Sequence, residues 1–268
     1  MLSSLQTAVL KYIDAYSAIL EKKMMTNDNL PNPNNHQFTR RSAMQLMVAT
    51  GASFLTGCGI AAENKSTATL ACIVTPEQTE GPYFVDEKLM RSDIRFDPTD
   101  GSIQEGQLLT LAINVFKTGS SACTPIKDAI VDIWHCNAEG VYSDAKDRSF
   151  DTRGRKFLRG YRLTDEQGAV KFFTVYPGWY DGRAVHIHFK IRHTDASGKH
   201  HEFTSQLYFD DQMNDAVFAL APYAGKGVRR INNSNDRIYQ DGGQQLMLKP
   251  VKTADGYMAS FDVGLNLG

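Results

Sequence analysis

The sequence has no uninterrupted apolar run of 18 residues, so nothing in it requires a transmembrane helix. It also lacks an excess of charge of either sign, because 29 Lys and Arg are balanced by 30 Asp and Glu. A net charge of -1 gives no reason to expect nucleic acid or an anionic membrane as the main partner. With 42% hydrophobic and 22% charged residues, the 268-residue chain is ordinary for a globular protein and can bury a full core.

The N-terminal region contains a candidate export signal. Arg40 and Arg41 precede a modestly apolar run at 43–55, and this run ends in Leu-Thr-Gly-Cys58. The paired arginines suggest the twin-arginine route, and the final four residues resemble a bacterial lipobox that would place a lipid on Cys58. We therefore expect an exported, periplasmic or cell-envelope lipoprotein whose membrane contact is that lipid alone. A short buried helix is the alternative interpretation of the same run.

Cysteine is scarce, with four residues at positions 58, 72, 123 and 136. Cys123 and Cys136 flank a single predicted strand, which places them too far apart to bond to each other. If Cys58 is lipidated, any disulfide involves Cys72. An oxidising compartment permits such a bond without requiring it.

The pattern along the chain predicts three regions: an N-terminal extension with the export signal (1–58), a flexible tether rich in Ser, Thr and Ala (59–71), and one folded domain (72–268). In the folded domain, short apolar runs alternate with turns rich in Gly, Asp, Asn and Pro, which is typical of an all-β fold. We expect a β-sandwich core with short helical and loop additions. Strands are predicted at 108–116, 129–134, 170–175, 184–191 and 203–209, a short helix at 211–221, and a closing hairpin from 245–251 and 257–265.

The strand predicted at 184–191 carries His186 and His188. Because side chains alternate along a strand, both imidazoles lie on one face and could chelate a metal ion. The same pair could also face water, and His-x-His alone is weak evidence. Tyr180 and Arg183, just upstream, favour the metal site. By contrast, His135 follows a core Trp and is predicted to face the other way.

Four motifs then occur in a fixed order. They are Thr-Pro-x-Gln-x-Glu-Gly-Pro-Tyr at 75–83, Trp-x-x-Asn-x-x-Gly-x-Tyr at 134–142, Pro-Gly-x-Tyr at 177–180 and His-x-His at 186–188. In this order they resemble the intradiol ring-cleavage dioxygenases, of which the protocatechuate and catechol dioxygenases are the best known. The chain is more similar still to the exported, single-domain relatives of those enzymes. The resemblance covers about residues 72–210.

The resemblance implies a non-haem ferric ion, Fe(3+), with four protein ligands: Tyr142, Tyr180, His186 and His188. It also implies that a catechol displaces Tyr180, and that O2 then opens the ring to a muconate-type diacid. Arg183 falls on the family's active-site arginine, and Gln206 falls on a glutamine that the family places near the iron.

The ligand chemistry supports this assignment independently of the family. A phenol has a pKa of about 10, so a strong Lewis acid is needed to remove its proton. Hard ferric iron suits two phenolates and two imidazoles, whereas zinc sites normally use His, Cys and carboxylates.

One departure from the family concerns the pocket, since only five residues separate Tyr180 from His186 where cytoplasmic members carry a longer insertion. We therefore expect a more open pocket and a different substrate. The rival hypothesis is an exported β-sandwich module that binds catechol-bearing compounds without turnover.

Overall fold

The computed structural model describes residues 73–119 and 122–268. The predicted extension and export signal at 1–58, the lipid on Cys58, the tether at 59–71 and Cys72 lie outside the described residues. Within the described part of the chain, no helix is long and apolar enough to cross a membrane.

Strands dominate the folded domain, which confirms the all-β prediction. In chain order the strands are β1 (Leu108–Lys117), β2 (Thr124–Pro125), β3 (Ile130–Trp134), β4 (Arg159–Leu163), β5 (Ala169–Val175), β6 (His186–Thr194), β7 (His200–Tyr208), β8 (Val251–Lys252) and β9 (Gly256–Leu265). One α-helix, α1 (Asp211–Phe218), and three 3-10 turns, Tyr223–Lys226, Asn233–Asn235 and Gly243–Leu246, lie between β7 and β8.

The strands form two sheets. In the first, β1 pairs in parallel with β9 along ten residues and antiparallel with β5 and β2, while β8 extends the edge beyond β9. The second sheet is antiparallel, with strand order β4-β3-β6-β7. Buried side chains from β1 and β6, among them Leu111 and Phe189, belong to one hydrophobic cluster, so the two sheets share a core as in a sandwich.

β1 shows how the sequence places the core. Its residues alternate, so that Leu109, Leu111, Ile113 and Val115 are buried while their neighbours are partly exposed. β6 differs, because its first six residues are buried on both faces. Ile187 points into the sandwich, and the opposite face carries His186 and His188 beneath further chain. The buried outer face of β6 is therefore available for a site.

The predicted closing hairpin was wrong in its first arm. Instead of a strand at 245–251, the chain forms the 3-10 turn Gly243–Leu246, and β8 contains only Val251 and Lys252. Met247 bridges to Tyr208 and Leu248 donates its N–H to the Tyr208 carbonyl, so this segment is held against β7. The partner of β9 along its full length is β1, far away in sequence.

Other differences from the predictions concern the start of β6, the end of α1 and the strand β4. β6 begins at His186 because the Ala184 N–H is taken by the carboxylate of Asp236. Helix α1 is capped by Asp210, which accepts from two backbone N–H groups, and ends at Phe218. β4 was not predicted; Gly160 lies within it, where a Cβ would approach Arg91 at 3.0 Å.

The cysteines behave as expected where they are described. Cys123 is disulfide-bonded and Cys136 is a buried free thiol, so the two do not bond to each other.

Candidate metal centre and active site

The two histidines of β6 lie side by side in the interior. Both are buried, and their Nε2 atoms are 2.9 Å apart. His186 Nδ1 lies 2.7 Å from the Ala184 carbonyl oxygen. Because a carbonyl only accepts, Nδ1 carries the proton and the Nε2 lone pair points inward. His188 stacks on the indole of Trp134, its cross-strand partner, with ring centroids 4.9 Å apart.

Tyr142 enters from the turn that follows β3. The Asn137 side-chain oxygen accepts from the N–H groups of Glu139 and Val141, which folds the chain back, and Gly140 adopts φ +78° at the tip. This turn directs the buried Tyr142 hydroxyl to 3.4 Å from His186 Nε2.

Tyr180 enters from the opposite side, at the end of the Pro-Gly-Trp turn. Its hydroxyl lies 3.3 Å from His186 Nε2. The two tyrosine-bearing turns pack backbone to backbone: a Cβ on Gly178 would lie 2.3 Å from the Ala138 oxygen, and one on Gly140 would lie 2.1 Å from the Trp179 oxygen. The glycines therefore permit the approach that brings the two phenols together.

These four side chains have the spacing of metal ligands. Donors bound to one ion at about 2.0–2.1 Å, with angles of about 90–110°, lie about 2.9–3.4 Å from one another. The measured separations from His186 Nε2 to the other three donors are 2.9, 3.3 and 3.4 Å. The Nδ1–H of His186 on a backbone carbonyl is also the usual outer contact of a ligating imidazole. Tyr142, Tyr180, His186 and His188 thus fit a single metal ion.

Electrostatics favour a cation at this point. Burial, followed by the neighbouring Tyr180 phenol, raises the pKa of Tyr142 well above its usual range, and burial likewise raises the pKa of Tyr180. Burial also lowers the pKa of His186 and His188, so both imidazoles are neutral. Phenols in this environment ionise only beside a strong positive charge, which a highly charged metal ion provides.

The chemistry of the donors narrows the choice of ion. Among residues 73–119 and 122–268, no group of three or more His, Cys, Asp or Glu could hold a metal. The centre at His186 therefore depends on its two tyrosines. A hard, trivalent ion suits such a donor set better than zinc does.

Arg183 lies beside the donors. Its Nη1 is 3.5 Å from His186 Nε2, Nη2 donates to Gln206 Oε1 at 2.5 Å, and Nε donates to Asp236 Oδ2 at 2.9 Å. The side chain of Arg183 is only 13% exposed, which excludes a role as an ordinary surface charge.

Gln206 contacts both Arg183 and the N-terminal segment. It faces His188 across the β6–β7 pairing, donates to the Thr79 carbonyl at 2.8 Å, and accepts at Oε1 from Arg183 and from the Tyr208 hydroxyl. Gln206 is therefore bound to groups that surround the four donors.

Residues 78–84 cover the histidine side of the site. Gly81, at φ +72°, lies so close to His188 that a Cβ would be 3.2 Å from the imidazole Cε1. Lys190 anchors this segment through an ion pair with Glu80 and by lying 4.3 Å from the ring centroid of Phe84. These contacts give Glu80 a structural role as a fixing group.

On the tyrosine side the centre opens into a cleft of about 560 Å³. Tyr142 and Tyr180 form its inner end. Tyr83, Phe150 and Trp179 contribute aromatic walls, and Tyr83 stacks on Tyr142 with ring centroids 4.4 Å apart. The two tyrosines thus border an aromatic cleft.

Comparison with known families agrees with this geometry. The family model Dioxygenase_C, described as "Dioxygenase", matches residues 79–263, a span that contains all four donors. The chain belongs to the intradiol ring-cleavage dioxygenase family.

Two curated proteins are similar to the chain in sequence. Catechol 1,2-dioxygenase from Candida albicans is 30% identical over 165 residues, or 52% of this chain and 50% of that protein. Catechol 1,2-dioxygenase from Acinetobacter baylyi is 29% identical over 186 residues, or 60% of this chain and 55% of that protein. The matched part therefore spans about half the length of these relatives.

A solved structure resembles the chain over most of its fold. The intradiol ring-cleavage dioxygenase from Tetranychus urticae superposes with a TM-score of 0.63 at 31% identity, covering 73% of this chain and 95% of that one. The dioxygenase domain of a carbohydrate-binding fusion protein from Streptomyces is 26% identical, with a TM-score of 0.50.

Sequence reasoning missed part of the surroundings of this site. The Tyr208 hydroxyl lies 2.8 Å from Gln78 Oε1 and 3.0 Å from Gln206 Oε1 and can donate to either, and Asp236 binds Arg183 from 53 residues further along the chain. Tyr208 could have been found from strand alternation, since it shares a face of β7 with Gln206. No local pattern marks Asp236, which lies in irregular chain. His135 is buried away from the donors, bonded to Thr174, as its strand position predicted.

Proposed function

We propose that this protein is a non-haem Fe(III) dioxygenase that cleaves a catechol-type ring between its two oxygenated carbons, with O2, to a muconate-type diacid. One observation carries the proposal: two phenol oxygens and two imidazole nitrogens converge beside Arg183, and the two tyrosines also line an aromatic cleft. Family membership supports the reaction class.

Tyr142, Tyr180, His186 and His188 would hold the ion. When bound, ferric iron supplies the Lewis acidity that draws electron density through a coordinated catechol and prepares its ring carbon for dioxygen. Trp134 holds the ring of His188 by stacking, and the Ala184 carbonyl holds the ring of His186 by a hydrogen bond. The tightly packed turns keep Tyr142 in place.

Tyr180 is the ligand best placed to act as a base. It is half-buried and it lines the cleft. If Tyr180 were ionised beside the bound metal, its Oη could take one of the two catechol protons as a general base, while the other passed to solvent in the cleft. Tyr142 is fully buried and remains with the histidines.

Arg183 would stabilise negative charge that develops on the ring. Its Nη1 faces the donor side of the site, while Nε and Nη2 are held by Asp236 and Gln206. A positioned cation of this kind lowers the transition-state energy without reorganising during the reaction.

The test uses the purified, iron-loaded protein and an oxygen electrode. Tyrosinate-to-iron charge transfer should colour the protein, and one or more simple catechols should cause oxygen uptake. A coloured protein that binds catechols but consumes no oxygen on any of them would instead support a catechol-binding module. A colourless protein with no bound iron would contradict the proposed site.

We also propose export, motivated by Arg40 and Arg41, the apolar run and the lipobox that ends at Cys58. Mass spectrometry of membrane-fraction protein should find a mature chain that begins at a lipid-bearing Cys58. A cytosolic protein that retains residues 26–57 would contradict this proposal.

A further inference from the structure

Arg183 precedes β6 by three residues, and strand alternation alone would point it away from the face that carries His186. In the structure it nevertheless reaches that face. The cause lies in a single carboxylate: Asp236 Oδ2 accepts from Arg183 Nε at 2.9 Å and from the next backbone N–H, that of Ala184, at 2.7 Å. This double contact fixes both the backbone and the side chain at the point where the chain enters the strand.

Asp236 is itself held rigidly. Its side chain is fully buried, and Oδ1 accepts from the backbone N–H groups of Ile238 at 2.7 Å and Tyr239 at 3.3 Å. Both carboxylate oxygens therefore have two donors each, and the C-terminal segment around residue 236 cannot move without breaking them. A buried charge satisfied in this way has one low-energy geometry.

Two of the three guanidinium nitrogens of Arg183 donate hydrogen bonds to other side chains. Nε binds Asp236, and Nη2 binds Gln206 and, at 3.4 Å, the Tyr208 hydroxyl. Nη1 is left, and it is the nitrogen that lies 3.5 Å from His186 Nε2. Since the His186 Nε2 lone pair is directed at the donor centre, Nη1 lies beside that centre.

We propose that Asp236 is a positioning residue for the reaction: it orients Arg183 so that Nη1 faces the reacting ring. This inference rests on the proposed function, because it assumes that Arg183 acts on a catechol. Asp236 does not itself touch the substrate space. Its role is to hold the guanidinium of Arg183 in one orientation.

The chain provides a matched control in Asp97. This carboxylate is also fully buried, and its Oδ2 accepts from Arg155 Nε at 2.7 Å and from the next backbone N–H, that of Lys156, at 3.2 Å. Its Oδ1 accepts from Thr99, as Asp236 Oδ1 accepts from two residues of its own loop. Arg155 does not contact the four donors, so Asp97→Asn removes the same kind of pair away from the site.

The experiment compares Asp236→Asn with Asp97→Asn in the iron-loaded enzyme. We expect Asp236→Asn to retain iron and to bind catechol within a few-fold of wild type, while kcat falls at least about tenfold. Asp97→Asn should lose thermal stability but keep kcat. In the Arg183→Ala background, Asp236→Asn should cause no further loss of kcat, because the group that it positions is gone.

Two outcomes would overturn the inference: equal kcat in the two Asn variants after correction for folded protein, or multiplicative effects of Asp236→Asn and Arg183→Ala. If Asp236→Asn does not fold, Arg183→Lys serves instead, since one ammonium cannot bind Asp236 and also face the ring. Arg183→Lys with more than half of wild-type kcat would contradict the proposal.

A further readout does not depend on turnover. In metal-free protein, hydrogen exchange of the Arg183 Nε–H, followed by NMR, should be slow in wild type and faster in Asp236→Asn. Unchanged exchange would overturn the inference, whereas absence of turnover in wild type on every catechol would count only against the proposed function.

Discussion

At the scale of single residues, the site depends on where each lone pair points. His186 can direct Nε2 inward because its Nδ1 proton is bound to the Ala184 carbonyl. His188 has no such contact, and its buried Nδ1 lacks a hydrogen-bond partner within the described part of the chain. The stacking of Trp134 is what holds the ring of His188. An unsatisfied buried nitrogen costs about 1–3 kcal/mol, which binding at Nε2 would offset.

Removal of either kind of ligand should have a distinct effect. His188→Ala should lose iron, because no other side chain on that strand face can replace the imidazole. Tyr180→Phe should keep much of the iron through the remaining three ligands, but its visible absorption should shift and catechol binding should slow. His193→Ala, on the same strand but remote from the donors, is the control. Equal iron content in wild type and His188→Ala would disprove the assignment of ligands.

Arg183 tests the catalytic part of the proposal. A surface ion pair is worth about 0–1 kcal/mol, whereas loss of one donor that stabilises transition-state charge typically costs about 100- to 1,000-fold in turnover. We expect Arg183→Ala to bind iron and catechol nearly normally and to turn over at least about 100-fold more slowly. Arg192, in β6, forms ion pairs with Asp86 and Asp132, and Arg192→Ala should change kcat little. A similar kcat in both variants would remove Arg183 from the mechanism.

At the scale of elements, the centre is assembled from one strand and two turns that touch through their backbones. The Tyr142 turn and the Tyr180 turn are linked by the Gly178 N–H donating to the Asn137 carbonyl at 3.1 Å and by Lys226, which donates to the Glu139 carbonyl and lies 4.7 Å from the Trp179 ring centroid. Gly140 and Gly178 at these contacts thus shape the candidate metal site, although neither is one of the four donors.

Gly178→Ala should therefore weaken iron binding, although Gly178 is not one of the four donors. The new Cβ would lie 2.3 Å from a backbone oxygen, so one turn must shift. We expect a loss of about 1–3 kcal/mol in stability and weaker retention of iron, measured by thermal unfolding and metal analysis. In Gly225→Ala, the control, the added methyl meets nothing within 4 Å. Wild-type iron affinity in Gly178→Ala would show that the turns adjust freely.

Local patterns predicted these elements well and their partners poorly. Alternation located β1, β3, β5 and most of β6, because each has one face in the core. It failed at the C-terminal hairpin, since the partner of β9 is β1, and a pairing that distant leaves no signal in a local window. The four candidate ligands came from the family resemblance and its motifs, whereas Asp236 required the fold to bring residues 183 and 236 together.

At the scale of the whole molecule, an ion pair from the buried Asp97 ties the N-terminal segment to the loop between β3 and β4. Burial alone would raise the pKa of Asp97, but hydrogen bonds from Arg155, Thr99 and Lys156 outweigh it and lower that pKa to about 2. In an unfolded chain the same carboxyl titrates near 3.9. The folded state therefore gains stability from Asp97 above about pH 4 and loses it as the pH falls towards 2.

The loss of stability at acid pH should reveal the contribution of the Asp97 carboxylate. From the two pKa values, Asp97 contributes on the order of 2 kcal/mol at neutral pH. Asp97→Asn should be less stable than wild type at pH 7, and the difference should shrink between pH 4 and 2, as measured by denaturant unfolding at several pH values. A difference that stays constant across that range would assign the loss to packing and not to charge.

The central proposal, an iron centre that cleaves catechols between their oxygenated carbons, is tested most directly by isotope labelling. The iron-loaded protein is incubated with catechol under ¹⁸O2, and the product is identified by mass spectrometry. We predict a ring-opened diacid that contains both labelled atoms, formed by wild type and not by His188→Ala. An unchanged catechol, a semialdehyde from cleavage outside the two oxygens, or a product without the label would contradict the proposal.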